Sequence, residues 1–304
     1  MAARVDLHLG VEGLYLTGRL TGWAIAVWQS ESGKFMADRK TYLLRLVVAA
    51  ALLSFLLLLV ACSTDTPQNT FDAKGDVART QRDIFNYALW PAVAILIIVE
   101  GLLVFALFRF RQKRGQGLPS QVHGNTRLEI AWTIAPAILL FVLTVPMIAA
   151  IVEVGRDPKP DALPVRVIGH QWFWEFQYTG PEFSDAQGKP LTIIGVGGAP
   201  AELHIPVGRE IAVSLESADV IHSFWVPKLA GKLDAIPGEE SRMWMNATEA
   251  GTYSGQCAEF CGLGHAEMRL TVVAESEEEF QAWAEGQLAA QAGSGEASLA
   301  RQGE

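Results

Sequence analysis

Cysteine is scarce, with three in 304 residues, and that excludes a fold stapled by a disulfide framework. Charge is scarce as well, at 19% of residues, and it is unbalanced: 24 Lys and Arg stand against 33 Asp and Glu, a net of −9. That sign is wrong for holding phosphate, which argues against a nucleic-acid binder. No segment repeats, and no Cys-x-x-Cys-His is present, so a c-type haem attachment is excluded. Apolar residues are the abundant class, at 50%. A chain this apolar is not disordered throughout. A membrane anchor joined to one globular domain fits the composition.

The N-terminal region reads as an address. Arg39, Lys40 and Arg45 precede an apolar run over residues 46–60, which ends in Leu59-Val60-Ala61-Cys62. This is the layout of a secretory signal. Its ending resembles a bacterial lipobox, with cleavage before Cys62 and lipidation of that cysteine; an uncleaved transmembrane helix is the alternative. The preceding stretch carries Asp6, Glu12 and Glu31, which suits no signal peptide, so the expected start is Met36. Residues 1–61 are therefore expected to be leader plus signal, and residues 62–157 an outer segment and membrane anchor.

Leu89 to Phe108 is an apolar run of 20 residues containing Glu100, and Ile130 to Val152 is one of 23 without charge. Each is long enough to cross a bilayer as a helix. The short connection holds Arg109, Arg111, Lys113, Arg114 and Arg127, so it is expected on the cytoplasmic side, with both ends of the chain outside. Glu129 opens the second span. As a residue it is either an interfacial carboxylate favoured by the helix dipole or a group through which protons enter.

Beyond Pro158 the pattern changes to short β-rich runs separated by Gly, Pro and Asp. The predicted strands are residues 164–169, 172–178, 191–196, 202–205, 210–217, 242–247 and 269–274. Strands at this spacing indicate an all-β sandwich or barrel. Trp172, Trp174 and Phe176 alternate as one face of a strand would. Residues 275–290 read as an acidic amphipathic helix, followed by a flexible tail to residue 304.

One segment concentrates chemistry: Gly255-Gln-Cys257-Ala-Glu259-Phe-Cys261-Gly-Leu-Gly264-His265-Ala-Glu-Met268. His222 lies upstream in Asp219-Val-Ile-His222-Ser-Phe-Trp225. Two thiols and imidazoles select copper or zinc, and the thioether of Met268 favours copper. In an oxidising compartment a Cys257–Cys261 disulfide is the alternative, with the other residues as packing.

These motifs, with KLDAIPG, HQWFWEFQY over residues 170–178 and EIAWTIAP over residues 129–136, resemble cytochrome c oxidase subunit II. The resemblance spans about residues 80–275. It implies a two-helix membrane α-helical hairpin followed by an all-β cupredoxin domain over residues 158–274. It implies a dinuclear copper A centre bridged by Cys257 and Cys261. His222 and His265 would each terminate one copper. Met268 and the Glu259 backbone carbonyl would be axial ligands. The Glu259 side chain would reach a magnesium ion shared with subunit I. Trp172 matches the residue through which electrons enter, Glu129 the mouth of a proton pathway, and Asp219 an acidic docking residue. His123, His170 and His204 match no copper position. The implied partners are subunits I and III and cytochrome c. The activity is oxidation of cytochrome c with reduction of dioxygen and proton translocation, at a bacterial plasma membrane with the copper domain on the periplasmic side. Residues 158–304 hold 9 basic and 21 acidic residues, a charge suited to a basic redox partner. A quinol oxidase subunit would lack the copper ligands, and a tethered copper carrier would have no use for Glu129 or Trp172.

Overall fold

The computed structural model describes residues 41–42, 45–57, 66–111, 117, 121, 124–195 and 199–302, with side chains of the last helix described as far as Gly293. Cys62, His123, Met36 and the expected leader lie outside the described residues. Within the signal-like region, Arg45–Leu57 forms an apolar helix, α1.

Two long helices follow, α2 (Asp76–Arg109) and α3 (Thr126–Val154), and they pack as a pair. Both contain the predicted apolar runs and keep those side chains exposed on this chain, Glu100 included. Both extend beyond the runs. Residues 76–88 mix polar and apolar side chains, so their helicity adds nothing to the signal of a membrane-spanning run. Asn125 caps α3, its side chain accepting the N–H groups of Arg127 and Leu128, while Glu129 Oε1 accepts the Asn125 N–H at 3.2 Å. The glutamate thus occupies the helix-terminal role that its chemistry favours. Pro91, Pro136 and Pro146 sit inside the helices, as packed membrane helices tolerate.

The rest is a sandwich of two five-stranded sheets. One is ordered β3 (Leu191–Ile194), β2 (Phe173–Tyr178), β1 (Leu163–His170), β5 (Ile211–Ser217), β8 (Ser241–Met245). The other is ordered β4 (Ala201–Pro206), β10 (Arg269–Glu275), β9 (Gly251–Cys257), β6 (His222–Trp225), β7 (Leu233–Ala235). The β1–β5 and β4–β10 pairs are parallel and the remaining pairs antiparallel. All seven predicted strands are present. β6 and β7 escaped notice because they are very short. β9 reads Gly-Thr-Tyr-Ser-Gly-Gln-Cys, whose buried positions are Tyr253, Gly255 and Cys257, a weak apolar alternation.

Alternation builds the core. The inward side of β1 and β2 buries Leu163, Val165, Val167, Trp174, Phe176 and Tyr178, facing Leu203, Ile205, Phe224 and Val272 of the other sheet. Each such side chain contributes roughly 1.5–3 kcal/mol when fully buried. The Tyr178 hydroxyl is satisfied inside the core, donating to the His204 carbonyl at 2.8 Å and accepting its N–H at 2.9 Å, which ties β2 to β4. Helix α4 (Glu277–Gln302) closes one end. Ser276 and Glu279 exchange hydrogen bonds at its start, a capping box. Phe280 and Ala284 are buried on the sandwich. The helix runs past the expected end at residue 290, continuing through Gly293 and Gly295 to Gln302. Gln291 fastens it to the chain before β3, donating to the Pro190 carbonyl and accepting the Thr192 N–H.

Candidate metal centre

His222 opens β6 and Cys257 ends β9 on the same end of the second sheet, where Phe224 pairs with Cys257. The eleven-residue segment between β9 and β10 then folds back on itself. The Cys257 N–H donates to the Met268 carbonyl at 2.9 Å and closes the loop, and the Ala258 N–H donates to Ser223 at 2.9 Å and ties it to β6. A 3-10 turn over His265–Glu267 brings His265 inward and places Met268 behind it. Gly262 adopts φ of 120°, which only glycine takes without strain.

Six donor atoms converge as a result. Cys257 Sγ lies 3.8 Å from Cys261 Sγ, 3.9 Å from His222 Nδ1 and 3.2 Å from the Glu259 carbonyl oxygen. Cys261 Sγ lies 3.7 Å from His265 Nδ1 and 3.8 Å from Met268 Sδ. Both cysteines are free thiols, in place of the alternative disulfide. His222, both cysteines and Met268 are buried, and His265 is half-buried. Ligands about 2.0–2.3 Å from one ion at tetrahedral angles stand roughly 3.3–3.8 Å apart, so these separations suit shared metal coordination. The donors are soft, and two thiols with two imidazoles and a thioether are the set copper prefers. The residues fit the group that the resemblance implies.

The electrostatics prepare the thiols. Burial pushes the Cys257 thiol up, but hydrogen bonds from His222 and nearby backbone outweigh it and hold the group below its usual range. Burial, reinforced by the Cys257 charge beside it, pushes the Cys261 thiol up. Of the pair, Cys257 therefore gives up its proton more readily than Cys261.

Asp219 holds His222. Its Oδ1 lies 2.7 Å from His222 Nε2 and accepts the Val220 N–H, while Oδ2 accepts the Gln171 N–H at 2.7 Å. With Nε2 hydrogen-bonded to the carboxylate, Nδ1 is free to face the sulfurs. The residue singled out as a docking acid is thus engaged on both oxygens, a role its place three residues before His222 made legible only in retrospect.

Trp172 departs from the expected strand face. It lies in the turn joining β1 to β2, and the buried face starts instead at Trp174. The residue is 39% exposed, and its Nε1 donates to the Cys261 carbonyl at 3.2 Å. Gln171 Nε2 donates to the same carbonyl at 2.8 Å. A Cβ on Gly264 would stand 2.6 Å from the Trp172 ring, and one on Gly262 would stand 3.2 Å from it, so the indole rests against both glycines.

Sequence reasoning missed two contributors. Gln171 braces the loop, and Gly169 lies against the His222 ring, where a Cβ would stand 2.7 Å from Cδ2. Neither carries a chemical signature. His170 stacks on Phe173 and pairs with Glu175, and His204 stacks on Trp283 and pairs with Glu275, in keeping with packing roles. The Glu259 carboxylate is exposed beside the loop.

Residues 163–275 match the family model for the periplasmic domain of cytochrome C oxidase subunit II, and residues 63–149 match that for its transmembrane domain. Cytochrome c oxidase subunit 2 of Alkalihalophilus pseudofirmus is 37% identical over 244 residues, covering 78% of this chain and 67% of that one. A probable cytochrome c oxidase subunit 2 of Rickettsia conorii is 32% identical over 250 residues, covering 78% of each. The crystal structure of the periplasmic domain of subunit II of cytochrome oxidase of Bradyrhizobium japonicum aligns at 32% identity and a TM-score of 0.38, over 43% of this chain and 96% of that one.

Proposed function

The chain belongs to the cytochrome c oxidase subunit II family, and from that premise we propose that it takes electrons from cytochrome c at a dinuclear copper A centre and hands them to subunit I. As a family member it is a membrane protein and works within a haem-copper oxidase complex, in contact with other oxidase subunits.

The observation that carries the reading is the convergence of six donor atoms from β6, the end of β9 and the loop that follows it. Cys257 and Cys261 would hold both ions, His222 and His265 would hold one each, and Met268 and the Glu259 carbonyl would add weak donors. When bound, the copper pair supplies a one-electron site whose redox change involves no bond making. The residues do the rest. The loop hydrogen bonds and the β6–β9 pairing hold the donors in one geometry, so little has to move when an electron arrives. Asp219 fixes the His222 ring and its tautomer. Trp172 would admit the electron: it is partly open to solvent and hydrogen-bonded to the ligand loop at Cys261.

The family resemblance alone supports magnesium at the Glu259 side chain, the proton-pathway mouth at Glu129, and subunits I and III as neighbours. The acidic surface of residues 158–304 supports cytochrome c as donor. The basic connection between the spans supports a cytoplasmic loop and a barrel on the periplasmic side of a bacterial plasma membrane. Lipidation of Cys62 would add affinity to a protein that already spans.

The test is an oxidase purified with this chain, analysed for copper and by electron paramagnetic resonance. One electron shared equally by two coppers, and lost in Cys257→Ser, is the expected result. A single-copper signal, or zinc at the site, would overturn the reading.

A further inference from the structure

The β-sandwich is bound to the helical hairpin at two separate places, and residues 244–249 contribute to both. At α2, the N–H groups of Lys74 and Gly75 donate to the Lys228 carbonyl at 2.7 and 3.1 Å, and the Ala78 N–H donates to Leu229 at 3.2 Å. The Thr248 N–H returns to Lys74 at 2.8 Å. Asp76 and Asn246 form a reciprocal pair: the Asp76 N–H donates to Asn246 Oδ1 at 2.9 Å, and Asn246 Nδ2 donates to Asp76 Oδ2 at 2.7 Å. Gly75 is seated so closely that a Cβ would stand 2.3 Å from the Leu229 carbonyl oxygen and 2.5 Å from that of Asn246.

At α3 the contact is ionic. Glu210, only 5% exposed, accepts two hydrogen bonds from Arg156 at 2.7 and 3.2 Å and one from the Lys159 N–H at 3.0 Å. Lys159 Nζ stands 2.9 Å away. Arg156 also bonds Glu153, in the last turn of α3, at 3.0 Å, and its guanidinium lies 3.9 Å from the Trp244 ring centroid. The bidentate arginine holds the Glu210 carboxyl down to about 2, which marks a tight pair.

Covalent continuity needs none of this, since residues 155–162 already join α3 to β1. Units joined by a short linker move against each other by default unless their interface is extensive. Here two polar contacts hold them, one of them built on the buried Glu210 carboxylate. The loop gripped by α2 directly follows β6, whose first residue is His222.

We propose that the Asp76–Asn246 pair and the Arg156–Glu210–Trp244 knot form a two-point mount that fixes the height and tilt of the donor set over the membrane. They are positioning residues for electron transfer out of the metal centre to the acceptor in the partner subunit. The inference rests on the function proposed above. It treats the barrel's orientation as a property of this chain and not of its neighbours alone.

The test uses the complete oxidase complex carrying Arg156→Lys, Asp76→Ala, or both. Arg156→Lys keeps the charge but gives up the second N–H and the ring contact, so folding is retained. Four readouts separate positioning from stability. The near-infrared copper absorption and the rate of copper reduction by the donor stay as in the wild type. The rate from copper to the acceptor falls several-fold in the double variant, and the spread of copper spectral axes in oriented membranes widens. A double variant with wild-type onward rate and wild-type spread overturns the mount. Amide exchange at Lys74, Gly75 and Thr248 needs no copper and is expected to quicken in the double variant. If the wild-type complex lacks the copper absorption, the functional reading fails, and this exchange decides the mount by itself: unchanged rates overturn it.

Discussion

Replacing Gly169 by alanine should damage the metal centre although the residue touches no donor atom directly. Gly169 is a regular strand residue, paired with Trp174 on one side and Ser217 on the other, so its backbone accepts an alanine without strain. The added Cβ is the problem. It would stand 2.7 Å from His222 Cδ2, 2.9 Å from Cγ and 3.1 Å from Cβ. Carbon atoms in contact prefer about 3.5–4.0 Å, so the imidazole must withdraw by roughly 0.8 Å. Coordination distances tolerate only about 0.2 Å. The ring is also held by Asp219 at 2.7 Å, so it cannot move without losing that hydrogen bond. Overpacking of this kind costs about 1–3 kcal/mol. The assay is copper per complex together with the near-infrared absorption, followed by a thermal melt. Lower copper occupancy with a displaced or weakened band is expected. A variant that melts lower but keeps native copper content and a native band would refute the reasoning, because the crowding would then have been absorbed by the strand and not by the ring.

Asp219→Asn removes the anionic acceptor of His222 Nε2; copper affinity should fall roughly 10–100-fold and the midpoint potential rise, read by competitive chelation and spectroelectrochemistry. Trp172→Phe removes the hydrogen bond to Cys261 and should slow reduction by cytochrome c while copper content holds; an unaltered rate would exclude Trp172 as the electron's way in. Glu210, held down to about 2 from the usual 4.5 by Arg156, contributes stability that is complete above pH 4.5 and is lost as pH falls towards 2. That contribution is at most about 3 kcal/mol, so Glu210→Gln should be less stable at neutral pH and show a flatter acid limb in fluorescence-monitored unfolding. Glu129→Ala should slow proton-coupled haem reduction and leave copper reduction by the donor untouched, which flash-induced kinetics on the two chromophores can separate.

The architecture was largely legible because its signals are collective. Two long apolar runs specify the hairpin, and seven alternating segments specify most of the sandwich. The strands that escaped are those where collective signal is weakest: three residues in β7, four in β6, and the glycines and serine of β9. The donor residues were legible for a different reason, since Cys, His and Met crowded into one segment are improbable without a metal. Supporting residues lack such chemistry. Gly169 matters by having no side chain, Gln171 by reaching one carbonyl, and Asp219 by a bond to a histidine that the fold presents to it. Trp172 was found, but its position was mistaken, because alternation continues formally into a turn that the chain takes before the strand begins.

The contact between Trp172 and the two glycines has a consequence for how such chains vary. With the indole in place, any side chain at Gly264 collides with it at 2.6 Å, and Gly262 is doubly constrained by its backbone angle. With the indole gone, Gly264 still faces the Cβ of residue 172 at 2.9 Å, and Gly262 keeps both its backbone angle and the Gln171 amide at 3.2 Å. Among relatives, then, both glycines should outlast the tryptophan, the first through its backbone angle and the second through the Cβ at position 172. A lineage that has taken a different route for its electrons would betray the change at the tryptophan itself, with both glycines and every ligand of the metal left in place.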